Sequence, residues 1–260
     1  MLRPILTALL LAGTSPLLAG VTGKTVTYQS GDTVMQGYLA WDDGLRGKQP
    51  GILVVHEWWG HNDYARRRAE MLAELGYTAL AVDMYGAGQT AAHPEDASKF
   101  ATAVRSNLEL MQARFNAARD FLNAQQTVDP ERNAAIGYCF GGSVVLSMAR
   151  AGTDLDGVVS FHGSLAGLPA VAETVTSEIL VANGANDSFV SEESIEVFRD
   201  DMEAAGVDYT FINYPGAKHS FTNPDANAFG EQFGLPLEYD TAADKASWQA
   251  MQELLAKIFK

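Results

Sequence analysis

The sequence is short of cysteine and of positive charge. One cysteine, Cys139, stands in 260 residues. A lone thiol has no partner within the chain, so internal disulfides are excluded. Cys139 is then a small buried hydrophobe, an intermolecular link or a reactive group. Lys and Arg number 18 against 32 Asp and Glu, a formal net charge of −14. Such a surface repels phosphate backbones and anionic lipid, which excludes nucleic acid and the membrane surface as partners. Internal repeats, low-complexity tracts and linkers are missing too, so residues 20–260 are expected to form one domain. Every G-x-S-x-G pentapeptide is absent, and so is the zinc signature H-E-x-x-H.

The apolar run at the start, MLRPILTALLLAGTSPLLAG, has a positive residue, Arg3, an apolar stretch from Ile5 to Ala12 and a small residue at Ala19. It reads as a secretory signal peptide over residues 1–19, too short and poorly flanked for a spanning helix. No cysteine follows it, which argues against a lipid anchor. An exported protein, periplasmic or secreted, is expected.

What is present alternates. Residues 24–30 and 34–40 flank Gly31 and Asp32 as a hairpin. From residue 51 onward strand and helix patterns take turns. Strands are expected at 51–56, 77–83, 133–137, 157–163, 178–184 and 207–215, and helices at 64–75, 94–123, 141–150, 191–205 and 242–259. The strands are continuous apolar runs, as in strands buried on both faces. This is an α/β protein with a mostly parallel central sheet and helices on both faces, whose catalytic groups sit beyond the strand carboxyl ends. Residues 223–239 read as an irregular segment rich in Gly, Pro and Phe.

Residues 137–142 read GYCFGG, between a strand and a helix. This is the nucleophile turn G-x-S-x-G with Cys139 in the serine position. The N-terminus of the following helix favours a thiolate and a developing oxyanion. The N–H of Phe140 is one natural oxyanion donor. In this arrangement the chain runs nucleophile, acid, histidine. Asp187 follows the strand at 178–184, and His219 follows the strand at 207–215. His219 would take the thiol proton and Asp187 would fix its tautomer. His162 is expected to hydrogen-bond within the fold, and His93 to cap a helix. Asp83 precedes the nucleophile, which argues against it as the acid.

HEWWGH, residues 56–61, spaces its histidines five apart. On a helix that leaves the second about 140° around from the first, and Gly60 argues against a helix at all. A metal is therefore not expected. As the loop after an early strand, it supplies the second oxyanion N–H, from Trp58. Glu57 would point at Cys139 and hold the thiol protonated. Trp58 and Trp59 are pocket wall or core.

Together HEWWG, GYCFGG, Asp187 in NDSFV and His219 in GAKHSF resemble the dienelactone hydrolase family of α/β-hydrolases, from about Gly51 to the C-terminus. The resemblance implies an α/β-hydrolase fold, no metal or organic cofactor, and a Cys-His-Asp triad of Cys139, His219 and Asp187. It also implies Glu57 as the resting partner of the thiol. In the enzymes acting on dienelactones, arginines hold the substrate carboxylate. The corresponding stretches here, MYGAGQT (84–90) and HSFTNPDA (219–226), contain none. A neutral small-molecule ester or lactone is therefore expected, cleaved through an acyl-cysteine. The alternative is a non-catalytic ligand-binding or scaffold protein on the same fold.

Overall fold

A computed structural model describes residues 20–260; the expected signal peptide, 1–19, lies outside the described residues. Side-chain alternation builds its sheet. In β3 (Gln49–Val55), Leu53 and Val55 join the core on one face while Ile52 and Val54 join the core on the other. β4 (Thr78–Val82) divides likewise, with Leu80 and Val82 opposite Ala79 and Ala81. Burying one such Val, Leu or Ile contributes about 1.5–3 kcal/mol. That gain requires helices over both faces. α1 (Asp63–Glu74) and α7 (Thr241–Ile258) cover one face with Leu72, Met251 and Leu255. α2 (Pro94–Arg105), α3 (Leu108–Asn123), α4 (Phe140–Arg150) and α5 (Glu192–Ala204) cover the other with Val104, Phe115, Val144 and Phe198.

The hairpin of β1 (Val21–Ser30) and β2 (Thr33–Asp42) turns at Gly31 and Asp32 and joins the sheet antiparallel to β4. The remaining strands are β5 (Val128–Tyr138), β6 (Gly157–Phe161), β7 (Glu178–Gly184) and β8 (Tyr209–Tyr214). The eight strands lie in the order β1-β2-β4-β3-β5-β6-β7-β8, and those from β4 to β8 are parallel. This is the α/β-hydrolase type of architecture expected from the sequence. From β3 the chain steps one way to β4 and later the other way to β5. The reversal opens a crevice beyond the carboxyl ends of β3 and β5. HEWWGH leaves β3 there, and Cys139 leaves β5.

Two elements differ from the sequence reading. The expected helix at 94–123 is two helices. Asn107 is extended (φ −134°, ψ 94°) and caps α3 by accepting the Leu110 N–H at 2.9 Å. A side chain that satisfies an orphan helix donor outweighs helical continuity. Residues 223–239, read as irregular, contain α6 (Ala226–Phe233). Its eight residues are stabilised by tertiary stacking more than by propensity: Phe229 stacks on Trp59 at 4.7 Å between ring centroids.

Candidate active site

The turn after β5 is forced by close packing. A Cβ on Gly137 would lie 2.0 Å from the Gly141 carbonyl oxygen, and one on Gly141 would lie 2.2 Å from that of Val55. Only glycine lets the start of α4 pack this close to β5 and β3. Cys139 takes φ 53°, ψ −113°, a conformation that costs a non-glycine residue about 1–3 kcal/mol. Its sulfur is lifted above the sheet, partly exposed.

His219 and Asp187 arrive from the next strands. His219 Nε2 lies 3.0 Å from Cys139 Sγ, and Nδ1 lies 2.7 Å from Asp187 Oδ2. The other Asp187 oxygen accepts the Phe189 N–H at 2.9 Å. Burial by itself would lower the pKa of His219, but the Cys139 sulfur and the Asp187 carboxylate on its two sides outweigh it and raise it to about 10. The geometry therefore favours a protonated imidazole beside the Asp187 carboxylate. The three residues named from the sequence are brought together.

The two oxyanion candidates are also placed. Among the described residues neither the Phe140 N–H nor the Trp58 N–H has a backbone acceptor. Gly141 N–H donates to the His56 carbonyl at 3.1 Å, tying the start of α4 to the HEWWGH loop that carries Trp58. Unpartnered amides beside a helix N-terminus are suited to a developing negative charge.

Glu57 is placed differently from the sequence reading. Its two oxygens accept from Ser220 Oγ at 2.9 Å and Asn223 Nδ2 at 2.6 Å, while the sulfur faces His219. Two oriented neutral donors satisfy a buried carboxylate better than one weak S–H. Burial raises the Glu57 pKa, and those two hydrogen bonds act against it.

His162 is bonded within the fold, as expected, and it reaches the site. The Cys139 N–H is shared between the Phe161 carbonyl at 3.0 Å and His162 Nδ1 at 3.1 Å; with Nδ1 accepting, the ring proton is on Nε2, which donates to Thr222 Oγ1 at 2.7 Å. Burial, then the nearby His219, hold its pKa well below the usual range, in keeping with this neutral tautomer. Thr222 Oγ1 also meets Tyr64 Oη at 2.7 Å, and the Thr222 carbonyl accepts from Arg68 Nη2 at 2.6 Å. Sequence reasoning missed Ser220, Thr222 and Asn223. Their signal was the short polar residues flanking Phe221 directly after His219.

The rest of HEWWGH is structural. His56 Nε2 accepts the Met84 N–H at 3.2 Å, and burial pushes its pKa down to about 4. His61 is buried with neither ring nitrogen hydrogen-bonded. Trp59 is core, 3 % exposed, whereas Trp58 lines the cavity over Cys139. Asp83 accepts four backbone N–H bonds, from Gln36, Tyr85, Gly86 and Gly88, and so organises the turn after β4. His93 caps α2 by accepting the Glu95 N–H.

The cavity over Cys139 measures about 250 Å³. Trp58, Phe140, Phe189 and Leu237 supply apolar walls, and α2 supplies Ser98, Thr102 and Arg105. Phe189 packs edge-on against His219 at 4.9 Å and is 49 % exposed. Leu237 comes from the segment after α6, bridged to His219 in strand fashion.

The sequence model of the dienelactone hydrolase family matches residues 35–259. The protein usf of Aquifex pyrophilus is 30% identical over 210 residues, covering 77% of this chain and 87% of that one. A putative carboxymethylenebutenolidase of Escherichia coli strain K12 is 26% identical over 246 residues, 90% of this chain and 86% of that one. Among solved structures, a dienelactone hydrolase-like promiscuous phosphotriesterase from metagenomic libraries superposes with a TM-score of 0.85 at 37% identity, over 92% of this chain and 99% of that one.

Proposed function

The chain belongs to the dienelactone hydrolase family of ester and lactone hydrolases, and from that premise we propose that it cleaves a small-molecule ester or lactone through Cys139, His219 and Asp187 with an acyl-cysteine intermediate. The observation that carries this reading is the pair of distances at His219, 3.0 Å to the sulfur and 2.7 Å to the carboxylate.

In the proposed reaction the Cys139 thiolate attacks the carbonyl carbon. The Phe140 and Trp58 N–H groups bind the resulting oxyanion. The tetrahedral intermediate collapses by breaking the C–O bond, and the leaving alkoxide takes the Nε2 proton of His219. Water then gives a proton to Nε2 as its oxygen adds to the thioester carbonyl. Collapse expels the Cys139 thiolate and frees the acid. Asp187 holds the imidazole through both halves. Cys139→Ala should abolish hydrolysis of 4-nitrophenyl acetate by the pure protein. Brief incubation of the native protein should leave an acetyl adduct on Cys139, visible by mass spectrometry. Full activity in the variant would overturn the assignment and favour a binding role on the same fold.

The similarity to a promiscuous phosphotriesterase supports a second reading, that the same thiolate attacks a phosphotriester. A panel containing both ester types ranks the two. We also propose export, on the N-terminal segment alone. A mature N-terminus near Gly20 in a cell envelope or culture fraction supports it, and an uncleaved cytoplasmic protein counts against it.

A further inference from the structure

α1 carries Arg66, Arg67 and Arg68 in a row. Successive helical residues point about 100° apart, so the three cannot share one environment. Arg66 and Arg67 pair along α1 itself, with Asp63, Glu70 and Glu74. Arg68 turns inward and is 4 % exposed. The rings of Tyr64, Tyr138 and Trp248 surround its guanidinium carbon at 5.2 to 5.3 Å. Taking a guanidinium out of water is unfavourable unless its charge and its donors are answered. Two other elements answer them. Nη2 donates to Asp244 Oδ1 in the first turn of α7 and to the Thr222 carbonyl, both at 2.6 Å. Nε donates to Tyr64 Oη at 3.3 Å. Asp244 is held in turn by the Tyr239 hydroxyl at 3.2 Å.

An apolar side chain among three aromatic rings would pack α1 against α7 equally well. It could not fix a carbonyl within hydrogen-bond distance, so the bond to Thr222 is what distinguishes arginine here. Thr222 lies three residues after His219, between Ser220 and Asn223, which hold Glu57. Its hydroxyl meets Tyr64 and His162. The charge reaches the same neighbours. It opposes the burial that raises Glu57, and after burial and His219 it helps to keep His162 neutral. We propose that Arg68, remote from the triad, is a positioning residue of the hydrolytic site: by gripping the Thr222 carbonyl against Asp244 it sets the loop after β8, and with it His219 against Cys139. The role rests on the hydrolase reading and deepens it.

Arg68→Met keeps an unbranched side chain among the rings and removes the donors and the charge. Asp244→Asn is added so that no buried carboxylate is left unpaired. In the double variant kcat on 4-nitrophenyl acetate should fall about tenfold or more, with KM within about twofold. Alkylation of Cys139 by iodoacetamide, which needs the thiolate beside His219, should slow about threefold or more. Arg68→Lys alone keeps the charge but not the planar fork, and should recover at most part of both losses. Arg67→Met makes the same change one position away, on a surface ion pair, and should leave every value within about twofold of the native protein. A lower melting temperature with native kcat, a loss carried by KM, full recovery in Arg68→Lys, or an equal loss in Arg67→Met overturns the positioning role. If the double variant does not fold, Arg68→Lys is read by the same criteria. If the native protein turns over no ester, the hydrolase reading fails by itself and the alkylation rates decide.

Discussion

Asp187 has a side chain fully shielded from solvent, with one oxygen on the His219 imidazole and the other on the Phe189 N–H. Together with the Cys139 sulfur on the other side of the ring, it keeps His219 protonated in a buried site. Asp187→Asn keeps the shape and removes the charge. The expected result is a fall in kcat of about 10²-fold or more with KM within a few-fold, the scale of lost acid–base catalysis. Steady-state kinetics on 4-nitrophenyl acetate checks it, and a change confined to KM would rule it out. Glu57 illustrates a different residue-scale effect. Its identity and buried position follow from the strand it leaves. Its partners depend on Ser220 and Asn223, more than 160 positions away, and no local pattern announces them.

At the scale of elements, the segment between β8 and α6 matters most. It carries His219, it anchors Glu57, and through Thr222 it meets His162, which shares the N–H of the nucleophile with the Phe161 carbonyl. Thr222→Val leaves the His162 Nε2–H without its acceptor, a buried loss of about 1–3 kcal/mol. The expected outcome is kcat lower by about tenfold, with KM within about twofold and a reduced melting temperature. A variant that loses stability alone would separate Thr222 from catalysis. Long periodic elements were legible from sequence, because a strand buried on both faces must be apolar throughout. The triad was legible because its residues sit on strand ends in a fixed order. The break at Asn107 was hidden by helical spacing on both sides of it, and α6 by Phe residues that suit a loop or a stacked helix equally well. The place of β4 between β2 and β3 came from pairing alone.

For the whole molecule, the buried histidines set the response to acid. Burial pushes His56 down to about 4 and His61 to about 3, from an ordinary 6.5. A base whose pKa falls on folding contributes full stability above its unfolded value. That stability is lost as pH drops from about 6.5 toward the folded values, because the unfolded chain then binds more protons. The loss is on the order of 3 kcal/mol for His56 and 5 kcal/mol for His61. His219 runs the other way: its raised pKa gives stability that is complete below about 6.5 and lost as pH rises through about 10. His61 has no hydrogen-bond partner to lose. His61→Leu should therefore be tolerated at pH 7 and should flatten the decline of melting temperature between pH 6.5 and 4. An unchanged decline would show that His61 does not drive it.

The bridge from His219 to Leu237 gives this scaffold an unequal inheritance. One wall of the cavity is built on the loop that aims the base, so a lineage that reshapes that wall also disturbs its own chemistry. The wall from α2 has no hydrogen bond to Cys139, His219 or Asp187. Substitutions along that helix should therefore change substrate preference at less expense to the chemistry than substitutions in the loop after β8.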